Sequence, residues 1–324
     1  MSFDVPVLLV AWRRPETTRQ VLDAMRAAAP TRLYVACDGP RPGNTADAQG
    51  VRACRALIDR AIDWPCEVQR LYRDTNLGCR RGVSGAIDWF FSQVDEGIIV
   101  EDDCVPHADF FGYCAELLER YRDDERVWCI SGDNFQDGAW RGDGSYYFSR
   151  YIHVWGWATW RRAWRHYDVD LTAWPEMKTS GRLKETFDDA DEAQYWSDVW
   201  DRLRAEGIPD TWDYQWIFAC VRHGGLTALP NRNLVLNVGF GATATNTPNA
   251  AYTAQSPVQG ILPLKHPVRV TRDAAADAYT FEHHFHGTER RRARSQWHWL
   301  ATRVMTAVRD PLHYPRKAWR RVVG

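Results

Sequence analysis

The 324-residue sequence predicts an α/β protein built on a doubly wound, mostly parallel β-sheet. Up to about residue 131, short apolar runs typical of strands alternate with segments of helical periodicity. One run, residues 98–100, contains only Ile and Val and leads directly into Glu101, Asp102 and Asp103. Buried parallel strands are continuous apolar runs, and open sheets bind ligands beyond the carboxyl ends of such strands. The acidic triplet therefore supports the fold class and marks the first candidate site.

The other elements of this first part follow the same alternation. Pro15 takes a first-turn position in a helix whose apolar residues Val21, Leu22 and Met25 recur at helical spacing. The predicted strands cover residues 5–11, 33–37, 68–72, 98–100 and 127–130, and the predicted helices start at residue 15, cover 47–62, pass through 86–91 and cover 110–121. This order predicts parallel neighbouring strands joined by helical crossovers.

Beyond about Gly132 the alternation stops and the chain becomes rich in Trp. Nine of the 17 Trp lie between residues 155 and 216. The spacing of Trp157, Trp160 and Trp164 by three and four predicts the buried stripe of a helix. Two more helices are predicted over 193–203 and 213–221.

Cysteine usage and hydropathy predict a cytoplasmic protein. None of the eight Cys belongs to a C-x-x-C pair, and several lie within apolar runs, as buried thiols do. The first residues lack the basic segment of a secretion signal, and no apolar stretch approaches the length of a membrane span.

The acidic triplet predicts a divalent metal site. Three adjacent carboxylates repel one another unless a cation shares their charge. Hard oxygen ligands of this kind suit Mg²⁺ or Mn²⁺ bound together with a diphosphate. The alternative is a solvated acidic turn before the helix that starts near Pro106.

Arginines follow other elements at the same predicted edge of the sheet. Arg13 and Arg14 follow the first strand, where neither a G-x-G-x-x-G nor a Walker A pattern is present. Arg80 and Arg81 precede the third predicted helix, and Asp38 ends the second strand. Arginines bind phosphate or ribose, and a carboxylate accepts hydrogen bonds from a base edge. Surface charges, or ion pairs with the triplet, are the alternatives.

These motifs together resemble a family. Residues 7–14, 34–39 and 100–103, with 109–111, 128–131, 156–159 and 212–216 downstream, resemble GT-A nucleotide-diphospho-sugar transferases of the branch typified by N-acetylglucosaminyltransferase I. Residues 154–160 and 237–241 resemble bacterial family 2-like glycosyltransferases, often labelled hemolysin-like. The resemblance spans about residues 5 to 270 and implies a GT-A fold.

For the donor, the resemblance implies a role for each acid. Asp103 would bind the metal, Mn²⁺ or Mg²⁺. Asp102 would contact the ribose and Glu101 the transferred sugar. Asp38 would bind the base edge, so that a UDP-sugar is the expected donor. Residues 1–132 would then form a nucleotide-sugar-binding half, and residues 133–288 the aromatic-rich acceptor and catalytic half of the same domain.

The resemblance also implies how phosphates and acceptor are handled. Arg13 or Arg14, and Arg80 or Arg81, would contact ribose and phosphates. Asp213, between two Trp, would be the catalytic base that deprotonates the acceptor hydroxyl, and a single displacement would invert the anomeric carbon. The alternative for Asp213 is the N-cap of the following helix, because Asp is a preferred capping residue.

The expected function is thus metal-dependent, inverting sugar transfer to a hydroxyl of a glycan or a lipid-linked acceptor. One alternative is a sugar-phosphate nucleotidyltransferase, which would need a Gly-rich first loop. The other is a carbohydrate-binding protein without turnover, because sugars stack on aromatic rings such as Trp140, Trp155 or Tyr214. Nucleic acid is not an expected partner, because no recognition module is present.

The last segment, residues 289–324, is a basic tail. It holds ten Lys or Arg against Glu289 and Asp310, a formal charge of +8 in a chain of net charge −1. Interleaved Trp and basic residues suit an anionic membrane surface, which predicts a peripheral association with the inner face of the cell membrane. The alternative is a helix that docks on the acidic body.

Overall fold

A computed structural model describes residues 3–240 and 258–285 together with residues 287, 289 and 291. Its strands are β1 Val7–Ala11, β2 Arg32–Cys37, β3 Glu67–Tyr72, β4 Glu96–Glu101, β5 Cys104–Pro106, β6 Val127–Ser131, β7 Tyr146–Ser149, β8 Trp157–Trp160, β9 Leu226–Pro230 and β10 Val235–Asn237. Its helices are α1 Pro15–Ala28, α2 Thr45–Ala61, α3 Gly78–Gln93, α4 Ala108–Arg120, α5 Arg161–Trp164, α6 Trp174–Thr179, α7 Arg182–Thr186, α8 Ala190–Glu206, α9 Asp213–His223 and α10 Ala274–His284. None of the described helices has the length and apolar character needed to cross a bilayer.

Eight strands form one sheet in the order β3-β2-β1-β4-β8-β6-β9-β7. β1 to β4 are mutually parallel, and β6 and β9 run in the same direction as they do. Only β8 and β7 are antiparallel to their neighbours in this sheet. The predicted α/β class with a mostly parallel, doubly wound sheet is confirmed.

Helices cover both faces of the sheet, and strand side chains alternate between the two cores. In β1, Leu8 packs with α3, α8 and α9, whereas Val7 and Leu9 pack with α1, α2 and α4. In β4, Ile99 faces the first core and Ile98 the second. Burial on both faces explains why these strands are continuous apolar runs in the sequence.

The Trp-rich segment differs from its predicted secondary structure. Trp157 and Trp160 lie in strand β8, and Trp164 lies in the short helix α5. All three are buried, as predicted, but the predicted helical stripe is wrong. A spacing of three places strand residues on opposite faces, so Trp157 packs in the α3 core and Trp160 in the α4 core.

Strand order brings the carboxyl ends of β1, β2 and β4 side by side at one edge of the sheet. The register pairs Ala11 with Cys37, and Val10 with Glu101. The residues that follow each strand therefore meet at this edge. After the acidic turn, β5 pairs with β10, which brings residues 235–240 against the same edge.

Candidate active site

One cavity of about 370 Å³ opens at the carboxyl ends of β1, β2 and β4. Six acids and three arginines line it, together with apolar and backbone groups. The acids are Asp38, Glu101, Asp102, Asp103, Asp210 and Asp213, and the arginines are Arg14, Arg41 and Arg73. With every group ionised the lining carries a formal charge of −3. The structure thus brings the predicted acids of three separate segments to one cavity.

Arg14 holds the acidic triplet together. Its Nη2 lies 2.5 Å from Oδ1 of Asp102, and its Nη1 lies 2.9 Å from Oδ2 of Asp103. The backbone N–H of Trp12 donates to the other oxygen of Asp102 at 3.0 Å. Asp102 is therefore fixed by two groups from the loop after β1, and it is buried. Asp103 is more accessible, with 14% of its side chain exposed.

The environment of Glu101 favours its protonated form. Burial is the largest cause of its raised pKa, and repulsion by Asp103 and Asp102 adds to it, while Arg14 acts in the opposite direction. The negative charge of Asp213 across the cavity is a further contribution that raises this pKa. The triplet thus behaves as a charge-sharing cluster, as expected for adjacent buried carboxylates.

Asp38 lies at the end of the cavity next to the loop after β3. Its Oδ2 accepts hydrogen bonds from Nδ2 of Asn76 at 2.9 Å and from the backbone N–H of Leu77 at 2.8 Å. Its Oδ1 is buried and has no hydrogen-bond partner among the described residues. Burial raises the pKa of Asp38, and the Leu77 N–H partly offsets the rise. A buried acceptor without a donor is an energetic cost that a ligand donor can remove.

Asp213 also lines the cavity and is the first residue of α9. The helix has Trp212 at its N-cap position, and no side chain caps it, so the capping alternative for Asp213 is not met. The hydroxyl of Thr211 donates to the Asp213 carboxylate. Burial raises the pKa of Asp213 and outweighs this hydrogen bond. A raised carboxylate pKa suits a group that takes up a proton.

The aromatic side of the cavity comes from the second half of the chain. Trp155 and Phe240 line it with ring centroids 5.5 Å apart in an edge-to-face arrangement. The backbone N–H of Trp155 donates to buried Asp133 at 3.2 Å. Gly239 packs directly on Asp103, where a Cβ would overlap the carboxylate. Absence of a side chain at Gly239 is therefore what lets the segment after β10 approach the acid.

Three predicted arginines do not line the cavity. Arg13 pairs with Asp47 of α2 at 2.9 Å, and Arg81 pairs with exposed Asp170 at 2.8 Å. The backbone N–H of Arg80 donates to Asp210 at 3.2 Å, while its guanidinium lies near Gly207. Of the predicted arginines, Arg14 alone lines the cavity.

Sequence reasoning missed Arg73 and Arg41. Arg73 follows β3, lies 3.9 Å from Oδ1 of Asp38 and donates to the carbonyl of Gly82. It follows a predicted strand just as Asp38 does, so the strand-end rule applied to residues 68–72 identifies it. Arg41 gave no such signal, because its position depends on its ion pair with Asp47 and its stacking on Trp12.

The carboxylates fit a divalent ion that a ligand helps to bind. The described residues include no group of three or more His, Cys, Asp or Glu side chains placed to hold an ion. Mg²⁺ and Mn²⁺ bound with a diphosphate need only one or two protein carboxylates, because phosphate oxygens and waters complete the shell. Asp103, which lines the cavity with 14% of its side chain exposed, meets that smaller requirement.

No protein-family model and no curated protein matches the chain. Among the many solved structures that show weak similarity are the following three. A cytidylyltransferase from Leptospira borgpetersenii serovar Hardjo-bovis is 9% identical, with 50% of this chain and 62% of that chain covered and a TM-score of 0.32. The 4-diphosphocytidyl-2C-methyl-D-erythritolsynthase from Anaerococcus prevotii is 10% identical, with coverages of 59% and 82% and a TM-score of 0.32. A UDP-glucose pyrophosphorylase complexed with UDP-glucose is 9% identical, with coverages of 46% and 64% and a TM-score of 0.28.

A cytidylyltransferase and a pyrophosphorylase are nucleotidyltransferases by name, and none of the three is named as a glycosyltransferase. Similarity at these TM-scores assigns neither a family nor an activity to this chain.

Proposed function

We propose that the protein is a glycosyltransferase that moves a sugar from a nucleotide-diphosphate donor to a hydroxyl of an acceptor. One observation carries the proposal: Asp38, the acidic triplet and Asp213 line the same cavity, although they come from three separate parts of the sequence. Its volume of about 370 Å³ lies within the range of ligand pockets, roughly 300–1,000 Å³.

The donor nucleotide lies along the strand ends in this proposal. Oδ1 of Asp38 accepts a hydrogen bond from the base, for which the imide N–H of uracil is suited, so a UDP-sugar is the proposed donor. Asp102, fixed by Arg14 and Trp12, accepts from a ribose hydroxyl. Arg14 then lies between ribose and diphosphate, where a bidentate guanidinium binds phosphate well.

A diphosphate enters this cavity only with added positive charge. The lining carries a formal charge of −3 with every group ionised, or −2 with Glu101 protonated, and a diphosphate adds to the repulsion. We propose Mn²⁺ or Mg²⁺ on Asp103, where the ion supplies stabilisation of negative charge on the leaving diphosphate. Arg14 adds a fixed positive charge on the same side.

The acceptor hydroxyl lies beside Asp213. Its carboxylate removes the proton as the hydroxyl attacks, and the bond between the sugar and the diphosphate breaks on the far side. One such displacement inverts the anomeric carbon. Glu101, whose pKa is raised, contacts the transferred sugar between them. The rings of Trp155 and Phe240 form the apolar wall against which an acceptor sugar stacks.

The proposed setting is the cytoplasm, at the inner face of the membrane. A lipid-linked or growing glycan acceptor would be presented there, as in polysaccharide assembly. Basic segment 289–324 supplies the proposed contact with anionic lipid. Most of this segment lies outside the described residues, which include only Glu289 and Arg291 of it.

Product analysis tests the proposal against nucleotidyl transfer and simple binding. The protein is incubated with a panel of UDP-sugars and Mn²⁺, with and without glycan acceptors, and separately with UTP and sugar 1-phosphates. Sugar transfer releases UDP and depends on acceptor. Nucleotidyl transfer releases pyrophosphate from UTP instead. Binding that raises the melting temperature without any product identifies a binding protein.

The Asp213→Asn variant separates chemistry from binding. It keeps the size of the side chain and the bond from Thr211 but removes the base. Turnover is expected to fall at least about 100-fold, while UDP-sugar affinity changes little. Asp198→Asn, an exposed change on α8, is the matched control. Unchanged turnover in Asp213→Asn contradicts the assignment of the base.

A further inference from the structure

Arg14 occupies the space where a metal on Asp103 would need to bind. Its Nη1 lies 2.9 Å from Oδ2 of Asp103, and the side chain is largely buried. The second oxygen, Oδ1, faces the thiol of Cys104 at 3.4 Å. The backbone of Gly239 closes another side of the carboxylate. Asp103 is thus enclosed, and the guanidinium covers its side toward the triplet.

A divalent ion and Arg14 compete for the same oxygen. Mg²⁺ binds carboxylate oxygen at about 2.0–2.1 Å, so an ion on this oxygen would lie inside the guanidinium contact. Two positive groups cannot share one carboxylate oxygen at such distances without strong repulsion. An ion on Oδ2, or on both oxygens of Asp103, therefore requires Nη1 of Arg14 to leave, and an ion on Oδ1 alone would still be repelled by the nearby guanidinium.

Arg14 has a second anchor and a spare donor. Nη2 remains held by Asp102 at 2.5 Å, so the side chain need only turn about this contact. Its Nε is buried and has no hydrogen-bond partner among the described residues. A guanidinium presents donors in a fixed fork that matches phosphate oxygens. A diphosphate at this position gives the released Nη1 an acceptor, and an oxygen of its other phosphate would be needed to reach Nε on the opposite edge of the guanidinium.

We infer that Arg14 has an exchange role: it occupies Asp103 until a nucleotide binds, and a divalent ion then takes its place on Asp103. In the nucleotide-free protein it neutralises Asp103 and keeps a divalent ion out. A nucleoside diphosphate draws the guanidinium onto its phosphates and frees Asp103 for the ion. This inference rests on the proposed function, because it needs a diphosphate and a metal in the same cavity.

Binding of Mn²⁺ alone and with UDP tests the inference. Free Mn²⁺ is measured by electron paramagnetic resonance during titration of the full chain, with and without saturating UDP. For the natural protein, Mn²⁺ is expected to bind at least about tenfold more tightly with UDP than without. In Arg14→Met, binding without UDP is expected to tighten about tenfold, which shrinks the effect of UDP.

Two further variants complete the experiment. Arg19→Met removes an exposed charge from α1, the helix whose N-cap residue is Arg14, and is expected to leave both affinities unchanged. Arg14→Lys keeps the charge but lacks the two-nitrogen fork that contacts Asp102 and Asp103 separately, so its hold on Asp103 is weaker and it should bind Mn²⁺ without UDP more tightly than the natural protein. This variant decides the question if Arg14→Met does not fold.

The outcomes separate the inference from the proposed function. Equal Mn²⁺ affinity of the natural protein and both Arg14 variants without UDP overturns the exchange role, whatever UDP does. The exchange role is also overturned if UDP binds equally well in excess chelator, because Arg14 then serves in place of a metal. Failure of UDP to bind under any condition contradicts the proposed function, while the measurements without UDP still test Arg14.

Discussion

Gly239 sets how closely the chain approaches the Asp103 carboxylate. A methyl group there overlaps the carboxylate, so Gly239→Ala must displace either Asp103 or the segment after β10. A displacement of about 1 Å at a reacting centre costs on the order of 100-fold in turnover. We expect turnover, measured as UDP release, to fall by about that factor and to depend less on the Mn²⁺ concentration.

The control for this change is Gly112→Ala in α4. There the added methyl meets only the flexible end of Leu262, and the substitution suits a helix. Gly112→Ala should retain turnover. Normal turnover in Gly239→Ala would show that this wall is not needed at the site.

Asp133 beneath Trp155 gives the stability of the protein a pH dependence. Burial raises the pKa of Asp133 to about 7, even though Ser131 and the Trp155 N–H donate to it. Between about pH 4 and pH 7 the folded state therefore holds a proton that the unfolded state has lost. The contribution of Asp133 to the free energy of unfolding is fully present below about pH 4 and is lost as pH rises toward 7.

The Asp133→Asn variant isolates this effect. Relative to it, the natural protein should lose up to about 1.4 kcal/mol of unfolding free energy per pH unit across that window. Urea titrations at pH 4.5, 5.5, 6.5 and 7.5, set at roughly unit steps across the window, provide the measurement. Parallel pH profiles for the two proteins would contradict the raised pKa.

Individual site residues were predictable where they directly follow a strand. Asp38 and the triplet were found this way, because a buried apolar run fixes where a strand ends. Arg80 and Arg81 were predicted to precede the third helix, whereas they lie in the first turn of α3, and the direction of a long side chain depends on partners such as Asp170. Those partners are distant in the sequence and only the fold reveals them.

At the scale of elements, Asp210 joins the loop before α9 to the first turn of α3. Its carboxylate accepts from the backbone N–H of Cys79 at 2.9 Å and of Arg80 at 3.2 Å. Gly78 precedes them with φ of 77°, and a Cβ there would lie 2.6 Å from the carboxylate. The cap thus comes from a residue over 130 positions away in the chain.

Asp210→Ala should weaken both the helix and the site. Loss of a cap costs about 1 kcal/mol, and here it also frees the loop that carries Asp213. We expect a lower melting temperature and a clear fall in turnover. Asp273→Ala removes the cap of α10 and should lower the melting temperature alone. A similar turnover in both variants would show that the Asp210 contact does not position the site.

Element type was predictable for the β-α-β part and not for the Trp-rich part. Strands β1, β2 and β4 are buried on both faces, so their length and composition identify them, whereas β3 at the edge of the sheet is only partly buried. Trp157 and Trp160 are spaced as in a helix. They nevertheless lie in strand β8, because β8 forms hydrogen bonds with the edges of both β4 and β6. The position of these two strand edges depends on contacts between residues far apart in the sequence, and local periodicity carries no information about such contacts.

At the scale of the whole molecule, the basic segment 289–324 is expected to bind anionic vesicles in a salt-dependent way. Each basic residue near an anionic surface contributes about 1 kcal/mol. Arg291 is not free for this role, because it pairs with Asp189 at 2.5 Å and with Glu282 on the body. Deletion of residues 292–324, which keeps these pairs, should abolish vesicle sedimentation and spare release of UDP from the donor.

Replacement of the anionic lipid by neutral lipid provides the control for vesicle binding. Vesicles of neutral lipid alone should not sediment the natural protein, and added salt should weaken binding to anionic ones. Equal sedimentation of the truncated protein would rule the membrane role out, and docking on the acidic body would be the remaining explanation.

The insertion of β8 between β4 and β6 has a consequence for synthesis on the ribosome. Within the described residues, β6 pairs only with β8 and β9, so it cannot join the first four strands until residue 160 has left the exit tunnel. At about 5–20 residues per second, the edge of β4 waits roughly 3–12 s after Glu101 emerges. An Ile-rich strand edge exposed for that time is a template for aggregation. When the protein is expressed rapidly at high temperature, the yield of folded protein should therefore rise if chaperones that bind nascent chains are co-expressed.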